Sequence, residues 1–132
     1  MKIEILQFCE HAETRDSQLH LTGITDTVYS RQIPYRAENL KVVVRFRISG
    51  SEVGSHRFGF MMIDSDGKAL LKQNGNLDVG MEPHLTSAVS DMIIGLDGVI
   101  FPKAGEYEFS LIHNDVQVAS TPFFVFEGVR PS

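Results

Sequence analysis

The chain has 132 residues and a formal net charge of −5, from 12 lysines and arginines against 17 aspartates and glutamates. A chain of this length fits one domain and buries enough surface to form a core without disulfide bonds. Its acidic balance argues against general nucleic-acid binding, because the phosphate backbone would be repelled on average.

The first third of the chain consists of short apolar runs separated by turn signals, a pattern that predicts β-strands. The first strand covers residues 3–9, and a polar loop follows over 10–18. Residues 19–21 and 25–30 are predicted to form two short strands. Pro34 marks the connection after them, because proline cannot donate a hydrogen bond to a β-ladder.

The clearest strand covers residues 40–48, whose side chains alternate between two faces along the whole segment. One face carries Val44 and Phe46 and is predicted to point into the core, whereas the opposite face carries basic residues. The elements predicted after it are a strand over 56–64, a turn over 64–68, a return strand over 69–72, an irregular segment over 73–85, and a strand or short helix over 86–96.

A predicted hairpin closes the chain. Gly105 forms a corner, and the strand after it alternates Tyr107 and Phe109 with glutamates. Asn114-Asp115 is a turn pair, and the chain returns from it through a second apolar strand over 116–126. This hairpin is typical of an antiparallel sandwich.

Roughly eight or nine strands at this spacing predict an all-β fold. We expect an antiparallel β-sandwich, immunoglobulin-like or jelly-roll-like, with about eight strands. The prediction is a single domain over residues 1–132, with 128–132 as a flexible tail. Cys9 has no cysteine partner, and the sequence shows neither a secretory signal nor an apolar run long enough to cross a membrane. These features predict a cytoplasmic protein, and a mature chain whose leader was removed stays open as the alternative.

The corner of the closing hairpin resembles the tyrosine corner of immunoglobulin-like sandwiches. In such corners a buried tyrosine follows a glycine and bonds to nearby backbone. The resemblance gives structural roles to Gly105, to Tyr107 as the pin of the corner, and to Phe109, which stands where the disulfide cysteine would be.

A wider resemblance covers most of the chain. The segments that carry it are Gln18–Ile24, Val42–Arg47, Asp64–Lys68 and Leu96–Tyr107. Their layout resembles a group of small bacterial sandwich proteins known only as a domain of unknown function. The resemblance implies a sandwich fold and a bacterial source, and it supplies no catalytic residue.

The sequence indicates no catalytic, cofactor-binding or metal-binding residues. Asp64 and Asp66 resemble the start of a calcium loop, but the later ligands of that motif are missing, and a hairpin turn explains them. No two histidines have the spacing that places two ligands on one face of a strand or helix, which leaves only a zinc site assembled across strands. Nucleophile elbows and glycine-rich phosphate loops are also absent from the sequence.

Basic residues are concentrated in one segment, which holds five of the twelve cations between Arg31 and Arg47. Lys41, Arg45 and Arg47 share the outward face of one strand, and Arg57 on the next strand is predicted to join them. The favoured interpretation of this stripe is a solvated face, balanced by carboxylates of neighbouring strands or protecting an edge. The alternative is a docking surface for an acidic partner or a phosphate-rich ligand.

The outward side of these strands is also partly apolar. Val43, Met61 and Ile63 are predicted to point away from the core and therefore need a cover. The segment 73–85, the N-terminal strand or another chain would supply it, and cover by the same chain is favoured.

We therefore expect a non-catalytic protein-interaction module, with a homo-oligomer as one form of it. Its candidate partner-binding residues are Lys41, Val43, Arg45, Arg47, Arg57, Met61 and Ile63. The expected partner is a protein or a second copy, with no general nucleic-acid or membrane binding and no cofactor. Two alternatives stay open: a structural subunit of a larger bacterial or phage assembly, and a small-molecule- or metal-binding sandwich.

Overall fold

Two β-sheets lie face to face and enclose the main hydrophobic core. The structure, a computed structural model, describes residues 1–131, and Ser132 of the predicted tail lies outside this part. The strands are β1 (Lys2–Arg15), β2 (Gln18–Ile24), β3 (Thr27–Ser30), β4 (Tyr35–Arg36), β5 (Lys41–Ser49), β6 (Gly54–Ile63), β7 (Ala69–Val79), β8 (Ser87–Gly95), β9 (Ile100–Phe101), β10 (Gly105–His113) and β11 (Val116–Glu127). A 3₁₀ turn, η1 (Gly50–Glu52), separates β5 from β6.

The first sheet has four strands in the order β2-β1-β5-β8, and the second has five in the order β3-β11-β10-β6-β7. β4 and β9 form a separate two-stranded ladder. The pairs are antiparallel apart from β3, which runs parallel to β11. The predicted all-β antiparallel sandwich is confirmed, with eleven strands in residues 1–131 rather than about eight. The two-residue strands β4 and β9 are too short to produce a readable alternation.

The core is built from alternate residues of strands in both sheets. On β5, Val44, Phe46 and Ile48 are buried, which places the predicted inward face of this strand in the core. Phe109 of β10 and Phe123 of β11 face them from the other sheet and are also buried. The alternate spacing of these apolar residues in the sequence therefore indicates correctly that one face of β5 lies in the core.

The segment 73–85 differs from its prediction. Residues 73–79 continue β7 and pair with β6 instead of forming an irregular loop. Asn74, Gly75 and Asn76 disguise this strand in the sequence, but β7 is a sheet edge, where polar residues need not fill a core. Residues 87–95 form the strand β8. Of the two alternatives predicted for residues 86–96, the strand is therefore confirmed and the short helix is not.

The corner before β10 is held by one side chain. The Tyr107 hydroxyl donates a hydrogen bond to the Lys103 carbonyl oxygen at 2.6 Å. The ring of Phe101 meets the buried Tyr107 ring edge-on, with centroids 4.9 Å apart. Gly105 has a φ of 147°, which glycine adopts without strain. This geometry matches the role that the tyrosine-corner resemblance gives to Tyr107.

Candidate interaction surface at the edge of the four-stranded sheet

The basic residues on the outward face of β5 are paired with groups of the same chain. Arg45 donates from Nε and Nη2 to both carboxylate oxygens of Asp91 on β8, at 2.7 and 3.0 Å. Arg47 donates from Nε to Glu4 of β1 at 2.9 Å, and this bond is the main cause that lowers the pKa of Glu4. Lys41 donates from Nζ to the Glu10 carbonyl oxygen at 3.2 Å. Arg45 and Arg47 are therefore balanced by carboxylates of neighbouring strands, as the solvated-face interpretation stated.

Arg57 does not join this stripe, which corrects the prediction from sequence. It lies on β6, in the five-stranded sheet, and its guanidinium pairs with Asp115 in the β10–β11 turn. The prediction assumed that consecutive strands are neighbours. Here the turn η1 leads the chain from one sheet to the other, so β5 and β6 lie on different sheets.

Val43 also differs from its prediction as a contact residue, because it is fully buried. It forms a second cluster with Cys9 and Ala12 of β1, and Leu19 and Leu21 of β2 pack against this cluster. The N-terminal strands, one of the three predicted covers, therefore shield Val43. The same burial raises the pKa of the Cys9 thiol.

Met61 and Ile63 lie on the opposite side of the molecule from Val43. Both are on β6 and half-buried, at positions where Met61 pairs with Ser110 and Ile63 with Glu108 of β10. They do not form one apolar surface with Val43, because that residue belongs to the other sheet. The grouping of the three residues in the sequence is therefore wrong.

The two sheets end in four edge strands, and three of them carry features that hinder pairing with another chain. β3 has only four residues. β7 presents Lys72, and two asparagines, Asn74 and Asn76, flank Gly75. β2 contains Gly23 with a φ of 70°, where the backbone leaves the extended conformation. Short length, lysine and local irregularity are the usual protections of a sheet edge.

The fourth edge, β8, lacks these protections. It has nine residues, without proline, lysine, arginine or positive-φ residues. Asp91, its single ionisable residue, is engaged by Arg45. No other strand pairs with its far side within residues 1–131. β8 is therefore a long, regular edge that lacks these protections.

The hydrogen bonds of the β5–β8 ladder show which backbone groups of β8 face the open side. The Leu96 amide donates to the Leu40 carbonyl oxygen at 2.9 Å, and the strands continue in this register. In an antiparallel pair, hydrogen-bonded positions alternate with positions whose groups point away. Even-numbered residues of β8 therefore bond to β5. The odd-numbered residues, Ser87, Val89, Asp91, Ile93 and Gly95, direct their N–H and C=O groups outward.

Apolar side chains flank this open edge. Val89 and Ile93 are 38% and 40% exposed on the outer face, one on each side of Asp91. On the inner face Ala88 and Met92 are half-buried, because no further strand covers them. A chain that pairs with β8 would thus meet free backbone groups, apolar contacts and a neutralised carboxylate.

Two histidines that are far apart in sequence meet at one end of the sandwich. His56 Nδ1 and His113 Nε2 are 2.8 Å apart, and the rings stack with centroids 5.0 Å apart. His56 Nε2 bonds to the Glu52 carbonyl oxygen. Burial and the neighbouring His56 lower the pKa of His113. Within residues 1–131 no group of three or more His, Cys, Asp or Glu residues is placed to hold a metal ion.

The sequence profile of a family of unknown function (DUF6941) matches residues 4–126. The chain belongs to this family. No curated protein matches it. Among solved structures, an immunoglobulin-like protein from Pseudomonas aeruginosa is similar, with 15% sequence identity over 94% of each chain and a TM-score of 0.41. The family match confirms the resemblance to a domain of unknown function.

This family member also has a cleft of about 690 Å³ beside β2 and β3. Its apolar lining includes Ile24, Tyr29 and Tyr35, and burial raises the pKa of Tyr35. The charged residues of the lining are Arg31, Arg130, Glu10 and Glu38. With cations and carboxylates in equal number, the cleft does not select one ligand chemistry. Among the described residues, no helix has the length and apolar character needed to span a membrane.

Proposed function

We propose that this protein is a non-catalytic protein-interaction module that binds by strand addition to β8. The observation that carries the proposal is the open backbone of β8 between the exposed side chains of Val89 and Ile93. A partner strand would exchange backbone hydrogen bonds with the odd-numbered residues, which gives affinity and orientation. The side chains beside the edge would supply the choice of partner.

The surroundings of β8 favour specific binding over non-specific association at this edge. Asp91 would repel a second carboxylate if it were free, but Arg45 binds both of its oxygens. The salt bridge joins β5 to the edge strand β8. We place the protein in the bacterial cytoplasm. This proposal is supported by the single buried thiol of Cys9 and by the resemblance of the sequence to a group of small bacterial sandwich proteins.

Site-specific photo-crosslinking in the cells of origin tests this function. A photoreactive phenylalanine derivative replaces Ile93 in one variant and Val118 in a control, because both side chains are 40% exposed. Val118 lies on β11 in the other sheet, outside the stretch 124–127 that pairs with β3. We expect discrete adducts from position 93 and none from position 118. Absence of adducts at position 93, or equal adducts at both positions, would refute binding through β8.

A further inference from the structure

We infer that the partner of β8 is a second copy of the same strand, paired antiparallel about a two-fold axis at Asp91. This inference rests on the proposed function, because it names the partner of the same edge. A two-fold dimer requires a surface that is complementary to itself. β8 meets that requirement in its backbone and in its side chains.

The backbone allows one register with full overlap. Outward-pointing groups lie on odd-numbered residues, so hydrogen-bonded pairs across the axis must join odd-numbered residues of both copies. An axis at Asp91 pairs Val89 with Ile93 of the partner subunit, and Ser87 with Gly95 of the partner subunit. All outward groups of the strand then find a partner, in roughly ten hydrogen bonds. Moving the axis to the next residue leaves the strand ends unpaired.

The side chains repeat this symmetry. Val89 and Ile93 stand two residues before and two residues after Asp91, so each exposed apolar side chain meets the other across the axis. Such cross-strand apolar pairs stabilise a sheet. On the inner face, the added strand covers Ala88 and Met92, which are half-buried in the single chain. The four-stranded sheet becomes a continuous sheet through both copies.

The charges at the axis decide whether this pairing is allowed. Asp91 faces Asp91 of the partner subunit, and like charges directly opposite destabilise a sheet. Each aspartate, however, carries the bidentate guanidinium of its own Arg45, at 2.7 and 3.0 Å. The four groups sum to zero charge. The internal salt bridge therefore makes a central acidic residue compatible with self-pairing.

The other edges do not offer this symmetry. β7 would place Lys72 and its asparagines in the interface, and β3 is too short for more than two or three pairs. The residues that line the cleft and those that form the tyrosine corner lie outside β8.

The test is the molar mass of the purified full chain, measured by light scattering on a sizing column over a wide concentration range. We expect twice the chain mass of 14.7 kDa for the wild type. V89K should be monomeric, because in the dimer each introduced lysine would lie opposite the apolar Ile93 of the partner subunit. V118K, which changes a residue of matched exposure on β11, should stay dimeric. V89T, a milder change, should weaken dimerisation about tenfold while keeping the fold.

Each outcome decides one part of the account. A wild type that is monomeric at every concentration would overturn self-pairing. If position 93 still crosslinks to a different protein, the interaction function stands and only the identity of the partner is wrong. Monomeric wild type without any adduct at position 93 would remove both proposals. Dissociation of V118K as well as V89K would show that the interface lies elsewhere.

Discussion

Replacing Phe109 with alanine is expected to lower the free energy of unfolding by about 3–5 kcal/mol. Phe109 is fully buried in the centre of β10, and its ring lies against Phe8 of the other sheet at 6.1 Å and Phe60 at 6.0 Å, measured between centroids. The substitution leaves a cavity between the two sheets, and the hydrogen-bonded strands on either side prevent this cavity from collapsing. Urea denaturation followed by circular dichroism measures the loss.

Phe126→Ala provides the matched control, because it removes the same atoms from a residue that is 43% exposed at the end of β11. Its expected cost is below about 1 kcal/mol. Domains of this size have a total stability of about 5–15 kcal/mol, so the first substitution removes a large part of it and the second does not. Similar losses for both variants would contradict the position of the core.

Tyr107→Phe is expected to cost about 1–2 kcal/mol, although it removes a single oxygen. That oxygen is buried and bonds to the Lys103 carbonyl oxygen at 2.6 Å across the corner before β10. The phenylalanine ring still fills the space beside Phe101, so the loss reports the hydrogen bond rather than packing. Thermal unfolding compared between the two proteins measures it.

The control for this substitution is Tyr29→Phe. Tyr29 is half-buried on β3, and its hydroxyl makes no hydrogen bond within the part of the chain that the structure covers. Its replacement should leave the unfolding temperature nearly unchanged. If Tyr107→Phe were equally harmless, the corner would be held by glycine geometry and packing alone.

The sequence predicts those strands and turns whose residue pattern follows from their own local surroundings. β5 is readable because the residues of one face, from Val42 to Ile48, lie in the core, although Val43 on the other face is buried as well. The β10–β11 hairpin is readable because Asn114 and Asp115 both adopt positive φ, as a two-residue hairpin turn requires. Only the first part of β7, residues 69–72, is predicted, because an edge strand needs no apolar repeat and the asparagines and glycine of residues 73–79 resemble a loop.

The site depends on strand order, and strand order is a long-range property. The sequence places Arg57 beside β5, on the wrong sheet, because no local sequence signal shows that the chain changes sheets at η1. Val43 was expected outside because its cover, Leu19 and Leu21, lies more than twenty residues away in sequence. The apolar pair Val89 and Ile93 around Asp91 is visible in the sequence. Its meaning appears only when β8 proves to be an edge and Asp91 proves to be paired with Arg45.

Amide hydrogen exchange resolved by residue along β8 tests most directly whether this edge is the binding surface. The amides of Ser90 and Met92 donate to β5 and should be protected in the wild type and in V89K alike. The amides of Val89, Asp91 and Ile93 should be protected only in the bound wild type, with its own copy or with a partner captured at position 93. In monomeric V89K we expect them to exchange freely. Equal exchange of these three amides in bound wild type and V89K would contradict binding through β8.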